Sequence, residues 1–239
     1  GNPQNVFHPG VICGRNCLAM SQAVMGDSSH AHPDIARTNC LVFSGQKPHE
    51  SAPRTIAFLA RRRSKGPLKI IVIDPLKTKI AEMADIHLQI RPGTDAALFL
   101  GWINVIIEEK LYDSDFVAKW TVGFDKLAER AKEYPPAKVA GITGILISQV
   151  IQSARMYATT KPACIYRGVA PDQLGPMSVR VDQTRNILRS ITGNIDIPGG
   201  DLVSEIGPVV KGQRFVRDTD LELIDRLPAA ARKKMLGYD

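Results

Sequence analysis

The sequence predicts an α/β fold in which a mostly parallel sheet is flanked by helices. Three observations carry that expectation. Short apolar runs alternate with longer helical segments from Cys40 onward, the run Lys69 to Ile73 (KIIVI) is continuous and β-branched, and Gly-Pro or Asp-Pro pairs mark the joints. A strand covered on one face alternates apolar with polar residues. A strand covered on both faces by crossover helices has no polar side, so KIIVI belongs inside a parallel sheet.

Taken in order, Cys40 to Ser44 reads as the first buried strand. Ala52 to Arg63 follows as a helix in which Ile56, Ala57, Phe58, Leu59 and Ala60 precede a basic end, and Gly66-Pro67 breaks it. Asp74-Pro75 ends the strand KIIVI, a short helix Thr78 to Ala84 comes next, and Ile86 to Ile90 is a third strand with Ile86, Leu88 and Ile90 on one side. Arg91 to Asp95 then turns the chain into a long helix, Ala96 to Glu109, with Thr94 or Asp95 available as N-cap. Helices are expected over Asp115–Trp120, Phe124–Tyr134 (ended by Pro135-Pro136) and Ile145–Thr159, then a strand Ala163–Tyr166. The helix Val179–Ile191 carries Val181, Thr184, Ile187, Leu188 and Ile191 on one face, and Gly193 and Pro198-Gly199-Gly200 stop it. From Asp201 onward only a frayed helix near Leu221 to Leu236 is expected. Strands joined by helical crossovers define a Rossmann-like sheet, whose ligands sit at the carboxyl ends of the strands.

Composition narrows the function. The 239 residues are 44% hydrophobic, enough for a sizeable core, and no run approaches the roughly 18 apolar residues of a membrane span, so direct membrane insertion is not expected. The net charge of +7 is scattered apart from Arg61, Arg62, Arg63 and Lys65, which read as a solvated helix end. Aromatics make up only 6% and do not interleave with the charge, which argues against nucleic acid as a partner. Four cysteines (Cys13, Cys17, Cys40, Cys164) form no paired knuckles, so neither a disulfide scaffold nor a complete zinc site is indicated. The first residues, GNPQNVFHPG, lack a secretion signal, yet the chain reads as starting in mid-domain, and the compartment, cytoplasmic or periplasmic, stays open.

Candidate site residues lie in the loops after the strands. FSGQKPHES (Phe43 to Ser51) runs from strand to helix and can offer amides to an anion, or be an ordinary loop. Asp74 stands one residue past a buried strand, where a carboxylate accepts from a ribose or base, or simply caps a helix. Asp95 in RPGTD is open in the same way, although Pro92 and Gly93 shape a tight backbone that could present it to a planar donor. No G-x-G-x-x-G is present, which counts against a standard dehydrogenase. Cys13 in VICGRN has Gly14 beside it, leaving room for a bulky group. Its thiolate would suit a soft metal, while local sequence favours a buried structural cysteine. His30 and His32 in SSHAHP read as a surface loop rather than a metal pair.

As an ordered set, VICGRN, NCLVFSGQKPHES, KIIVIDPLKTKIAEMADIHLQIRPGTDAAL and GNIDIPGG resemble the catalytic subunits of the dimethyl sulfoxide reductase family of molybdopterin oxidoreductases. The likeness runs from about Gly1 to Gly200, and Thr94 to Thr143 looks most like the acetylene hydratase branch, with formate dehydrogenases close behind. The resemblance implies molybdenum or tungsten held by two molybdopterin guanine dinucleotides, with Cys13 as catalytic residue and metal ligand. Gly45, Gln46, Lys47 and Glu50 would hold one dinucleotide, Ile73, Asp74 and Pro75 its ribose, and Gly93, Thr94 and Asp95 its guanine. Arg167, Gly168 and Asp172 would lie near the second dinucleotide.

The same resemblance implies an internal fragment of a multidomain chain, with a 4Fe-4S cluster in a missing N-terminal region. Residues 1–38 would belong to the metal-ligand-bearing α/β domain and 39–160 to the pterin-dinucleotide-binding domain. Residues 161–200 would return to the first domain, and 201–239 would be a weakly ordered tail. The expected reaction is two-electron redox chemistry on a small-molecule substrate, with an electron-transfer subunit or carrier as partner. Non-redox hydration at tungsten and a cofactor-binding domain inactive by itself are the alternatives. Gly14 stands where some formate dehydrogenases place a His, which counts against formate oxidation.

Overall fold

The computed structural model describes residues 20–21, 23–26, 31–173 and 177–203, all within one compact unit spanning Gly10–Ser204. Its centre is a wholly parallel four-stranded sheet. The strand β1 (Ala31–Pro33) lies outside that sheet; β2 (Cys40–Ser44), β3 (Lys69–Ile73), β4 (Ile86–Leu88) and β5 (Ala163–Arg167) form it in the order β4-β3-β2-β5. Cys40 is in register with Lys69 on one side and Ala163 on the other, so β2 is an interior strand with two parallel neighbours. The mixed α/β architecture with a parallel sheet is the one the sequence predicts.

Both faces of the sheet are covered, which explains the unbroken apolar strands. Leu41, Phe43, Ile70, Val72 and Cys164 pack on one side with Leu59 of α2 (Pro53–Arg63). Cys40, Val42, Ile71, Ile73 and Ile165 pack on the other side against three helices, α3 (Asp95–Glu108), α7 (Ile147–Thr159) and α8 (Ser178–Ile191). At the middle of that layer Trp102 is fully buried, donates its indole N–H to Ser153 Oγ at 2.8 Å and stacks on Tyr157. A buried indole with its N–H satisfied contributes its full apolar area without a desolvation cost.

Several local expectations change. The loop after β2 contains its own short helix, α1 (Pro48–Ser51). Pro135-Pro136 ends α5 (Phe124–Lys132), which follows α4 (Ser114–Trp120), but it also starts α6 (Pro136–Thr143), because a proline in the first helical turn gives up no needed amide. The helix expected over Thr78–Ala84 is a single 3-10 turn, Ala81–Met83. That short connection delivers Asp85 to the start of β3, where its carboxylate accepts from the Ile70 amide at 2.8 Å and the Lys69 ammonium at 2.7 Å.

The strand β6 (Asp201–Val203) pairs antiparallel with β1, so Ala31-His32-Pro33 is a strand rather than a loop. Pattern reading misses β6 because its first residue is a fully buried aspartate, which accepts from the Ile165 amide and pairs with Arg189 at 3.0 Å. Arg62 also departs from the solvated reading. It is buried, and its guanidinium donates to the carbonyls of Thr38, Gly66 and Pro67 and to Asn39 Oδ1, stapling the end of α2 to the start of β2.

Gly101, inside α3, is a sharper test of this packing. Alanine in a helix interior is normally favoured over glycine by about 1 kcal/mol. Here a Cβ at Gly101 would meet Val139 Cγ2 of α6 at 2.8 Å. Overpacking against a β-branched side chain costs roughly 1–3 kcal/mol, so G101A should lower the unfolding free energy in urea and V139A should restore part of it in the double variant. A stabilised G101A protein would show that α3 and α6 are not in close contact.

Candidate functional site

The loops at the carboxyl ends of β2, β3 and β5, together with the turn into α3, gather most of the residues singled out from the sequence. At β2, Ser44 is fully buried and its hydroxyl has no partner. Gly45 follows with φ +62°, its amide donating to Ile73 O. From β5, the Gly168 amide donates to Ser44 O at 2.7 Å, and the two loops are so close that a Cβ at Gly168 would collide with the Gly45 carbonyl and one at Gly45 with Pro171. Gly168 is required by contact, and Gly45 by contact as well as by conformation.

Beyond Gly45, Ser51 Oγ donates to both Gln46 Oε1 and Lys47 O, which fixes the loop's shape. Among the described residues the amides of Gln46 and Lys47 have no acceptor, whereas those of Glu50 and Ser51 are used internally, by Lys47 O. Lys47 is half-buried and Glu50 is exposed. Such free amides beside a lysine suit an anionic oxygen.

At the end of β3, Ile73 and Asp74 are buried. Asp74 Oδ1 accepts from the Leu76 amide at 2.8 Å, bending the chain over Pro75, whose carbonyl is held by Gln89 Nε2. In the next turn Gly93 takes φ +81°, Thr94 Oγ1 donates to Arg91 O at 2.6 Å, and Arg91 reaches the last carbonyls of α6, Gly141 and Ile142. Thr94 is the N-cap by position, without a side-chain cap bond.

Asp95 is the first residue of α3 and only 5% exposed. Burial pushes its carboxyl up to about 6. Its own amide and the Arg185 charge pull the other way, and the neighbouring Asp172 and Asp74 push further up. Among the described residues no side chain pairs with it. It is therefore a dehydrated acceptor at the mouth of the sheet, without the cation that a structural carboxylate of this depth normally has.

Arg167 is half-buried and Asp172 fully so, and Asp172 accepts from Arg167 Nη1 at 2.8 Å and from Arg185 Nη2. Arg185 of α8 is a functional candidate that sequence reading passed over. The signal is nonetheless present, since Arg185 and Arg189 follow Val181 at four-residue steps and so fall on the buried stripe of that helix. Cys13 and Cys17 lie outside the described residues, as does His30. Of the described cysteines, burial pushes the Cys40 thiol up to about 12 and that of Cys164 well above its usual value, so neither presents a thiolate at neutral pH. Among the described residues no cluster of His, Cys, Asp and Glu is arranged to hold a metal.

Residues 12–215 match the model of the molybdopterin oxidoreductase domain. The chain belongs to the molybdopterin oxidoreductase family. Among its relatives, acetylene hydratase of Syntrophotalea acetylenica is 38% identical over 232 residues, 95% of this chain and 30% of that protein. Formate dehydrogenase H of Escherichia coli (strain K12) is 36% identical over 189 residues, 79% of this chain and 26% of that protein. The solved structure of acetylene hydratase from Pelobacter acetylenicus superposes with a TM-score of 0.75 at 39% identity, covering 81% of this chain and 26% of that one. The chain thus spans about a third or less of the length of these relatives. Membership of this molybdopterin family implies molybdenum or tungsten with a pterin cofactor.

The acceptor at Asp95 has a measurable cost. Between the usual carboxylate range and pH 6 the folded, cofactor-free protein holds a proton that the unfolded chain has already released. Asp95 therefore subtracts stability increasingly as pH rises toward 6, and the subtraction is complete above it. D95N should be more stable than wild type in urea, with an advantage that grows from pH 4 to pH 7 and reaches about 3 kcal/mol. A pH-independent difference would show that Asp95 titrates as it does in the unfolded chain.

Proposed function

We propose that this chain forms one wall of a bis(molybdopterin guanine dinucleotide) site. In the full protein the reaction is two-electron oxidation or reduction of a small molecule at a molybdenum or tungsten ion ligated by Cys13, with electrons passing through a 4Fe-4S cluster to an electron-transfer subunit or carrier. The observation that carries the dinucleotide part is the buried, unpaired carboxylate of Asp95. A guanine edge offers two adjacent N–H donors, and an ionised carboxylate is an acceptor-only group with two oxygens to meet them. Gly93 and Thr94 shape the turn that aims it.

The other residues fit parts of the same ligand. Asp74 keeps one oxygen on the Leu76 amide and has the second for a ribose hydroxyl, with Ile73 and Pro75 as the apolar sides of that turn. Gln46 and Lys47 offer amides and an ammonium to the phosphates, Gly45 lets Pro171 of the β5 loop close on this loop and gives it its turn, and Glu50 stands at its rim. Arg167, Gly168 and Asp172 face the second dinucleotide across the loop pair. When bound, the metal and pterin supply a Lewis-acidic centre that exchanges two electrons. The protein's part is to bind, orient and keep dry a group that this chain encloses from one side only.

A second reading is favoured by one specific observation, the match to acetylene hydratase over 95% of the chain. In that reading water adds across a triple bond at tungsten and no electrons leave. The two readings part on one assay of the full-length, metal-loaded protein. Redox chemistry requires an electron acceptor or donor dye, whereas hydration of acetylene to acetaldehyde proceeds without one.

Two substitutions test the site itself. D95N replaces one acceptor by a donor against guanine. Hydrogen bonds to charged groups contribute roughly 1.5–3 kcal/mol, so affinity for that dinucleotide should fall about ten-fold or more and retained guanine nucleotide, measured by acid extraction and chromatography, should drop toward half of the wild-type amount. Full retention would remove the guanine assignment. C13A should abolish turnover; unchanged metal content together with unchanged activity would remove Cys13 as ligand.

A further inference from the structure

The polar array on α8 does more than fill the space behind the sheet. Arg185 is completely buried, and its Nη2 is shared by Asp172, in the 3-10 turn Ala170–Asp172 after β5, and by Asp182, one turn back on α8 at 3.1 Å. Asp182 also accepts from Asn186, whose Oδ1 accepts from Arg189, and Arg189 pairs with Asp201 of β6. Asp172 has its other oxygen on Arg167. Pro171, next to it, is the residue that leaves no room for a Cβ on Gly45. A chain of contacts therefore runs from α8 through Arg185 and Asp172 to Pro171 and into the loop that offers amides to the phosphates.

Arg185 is poorly used for a structural arginine. Among the described residues its Nε and Nη1 are buried with no partner. An arginine kept only to brace a loop would be expected to spend its five donors, as Arg62 does on four acceptors. The charged groups whose fields act on Asp95, without a contact to it, are Arg185 from α8, which packs against α3, Asp172 from the β5 loop and Asp74 from the end of β3. Arg185 is the cation of that set, against two carboxylates that oppose ionisation of Asp95.

We propose that Arg185 is the positioning residue of the guanine side of the site: held by Asp172 and Asp182, it locks the β5 loop onto the β2 loop and supplies the buried positive charge that keeps Asp95 an ionised acceptor. Asp172 then serves the site through its loop and through Arg185, since its carboxylate is buried under two guanidinium groups. This rests on the guanine reading of Asp95 given above. It goes beyond that reading by naming an electrostatic control residue on a different element, which does not itself touch the ligand.

The test uses the full-length, metal-loaded enzyme and reads the guanine nucleotide retained after gel filtration between pH 5 and 9, with thermal melting alongside. Retention in wild type falls as acid protonates Asp95. R185Q removes the favourable charge and should move the midpoint of that profile upward by about one pH unit, while R185K, which keeps the charge, should keep the wild-type midpoint even with a lower melting temperature. D172N removes an opposing carboxylate and should move the midpoint downward. A merely structural role would lower melting in all three without opposite displacements of the midpoint. Unmoved midpoints in R185Q and D172N, with D95N still losing guanine, would overturn the Arg185 role and leave the guanine reading intact. Normal retention in D95N would instead remove the guanine reading. Should R185Q fail to fold, the D172N displacement decides alone.

Discussion

The site depends on β2 being an interior strand. Because it has parallel neighbours on both edges and helices on both faces, its carboxyl end cannot shift without breaking two ladders and two core layers. That rigidity fixes Ser44 and Gly45, and the Gly168 amide then clamps the β5 loop onto Ser44 O. In a parallel sheet all strands deliver their following loops to the same edge. One constraint, the burial of CLVFS on both sides, thus places the loops after β2, β3 and β5 together at one edge of the sheet.

Legibility in the sequence followed physical origin. Features set by apolar periodicity were readable, including β2, β3, the long helix α3 and the α/β class, because burial on both faces leaves a continuous apolar record. Asp74 and Asp95 were readable as positions, since each follows a strand or opens a helix. Elements held together by buried polar groups were not. The strand β6 begins with Asp201, Arg62 reads as one of a basic run, and Arg185 and Arg189 interrupt an otherwise apolar stripe. In each case at least one partner lies well away in sequence (Thr38 and Asn39 for Arg62, Asp172 for Arg185, Arg189 for Asp201), and pattern reading has no access to that partner. The turn Pro135-Pro136 failed for a local reason, since proline both ends one helix and opens the next.

The similarity to acetylene hydratase and to formate dehydrogenase H bears on this division. Both relatives are matched over most of the chain, yet their names describe different chemistry. What this chain has in common with them is a domain of the molybdopterin oxidoreductase family. The described residues include a buried carboxylate at Asp95 and unused amides at Gln46 and Lys47, and no cluster suited to a metal. A domain that holds a cofactor can be kept while reactions diverge, because one fold hosts many chemistries and the cofactor carries the reaction itself.

The distribution of unfavourable contacts argues that this edge of the sheet is a site and not merely core. Asp95 is buried without a paired cation, and Arg185 is buried with two donors unused. Unsatisfied buried polar groups cost roughly 1–3 kcal/mol each, and replacing such arrays by apolar residues is often neutral or stabilising. Other buried polar groups of the unit are well served: Arg62 has four acceptors, Asp201 has an amide and a guanidinium, and Trp102 has Ser153, the Tyr157 hydroxyl being the exception in the core among the described residues. Opposite charges left incompletely paired in one place, beside glycines that leave no space for side chains, are what a fold shows when a ligand completes its hydrogen bonding. A group that costs stability when its hydrogen bonding is incomplete is then the same group through which a ligand would be held.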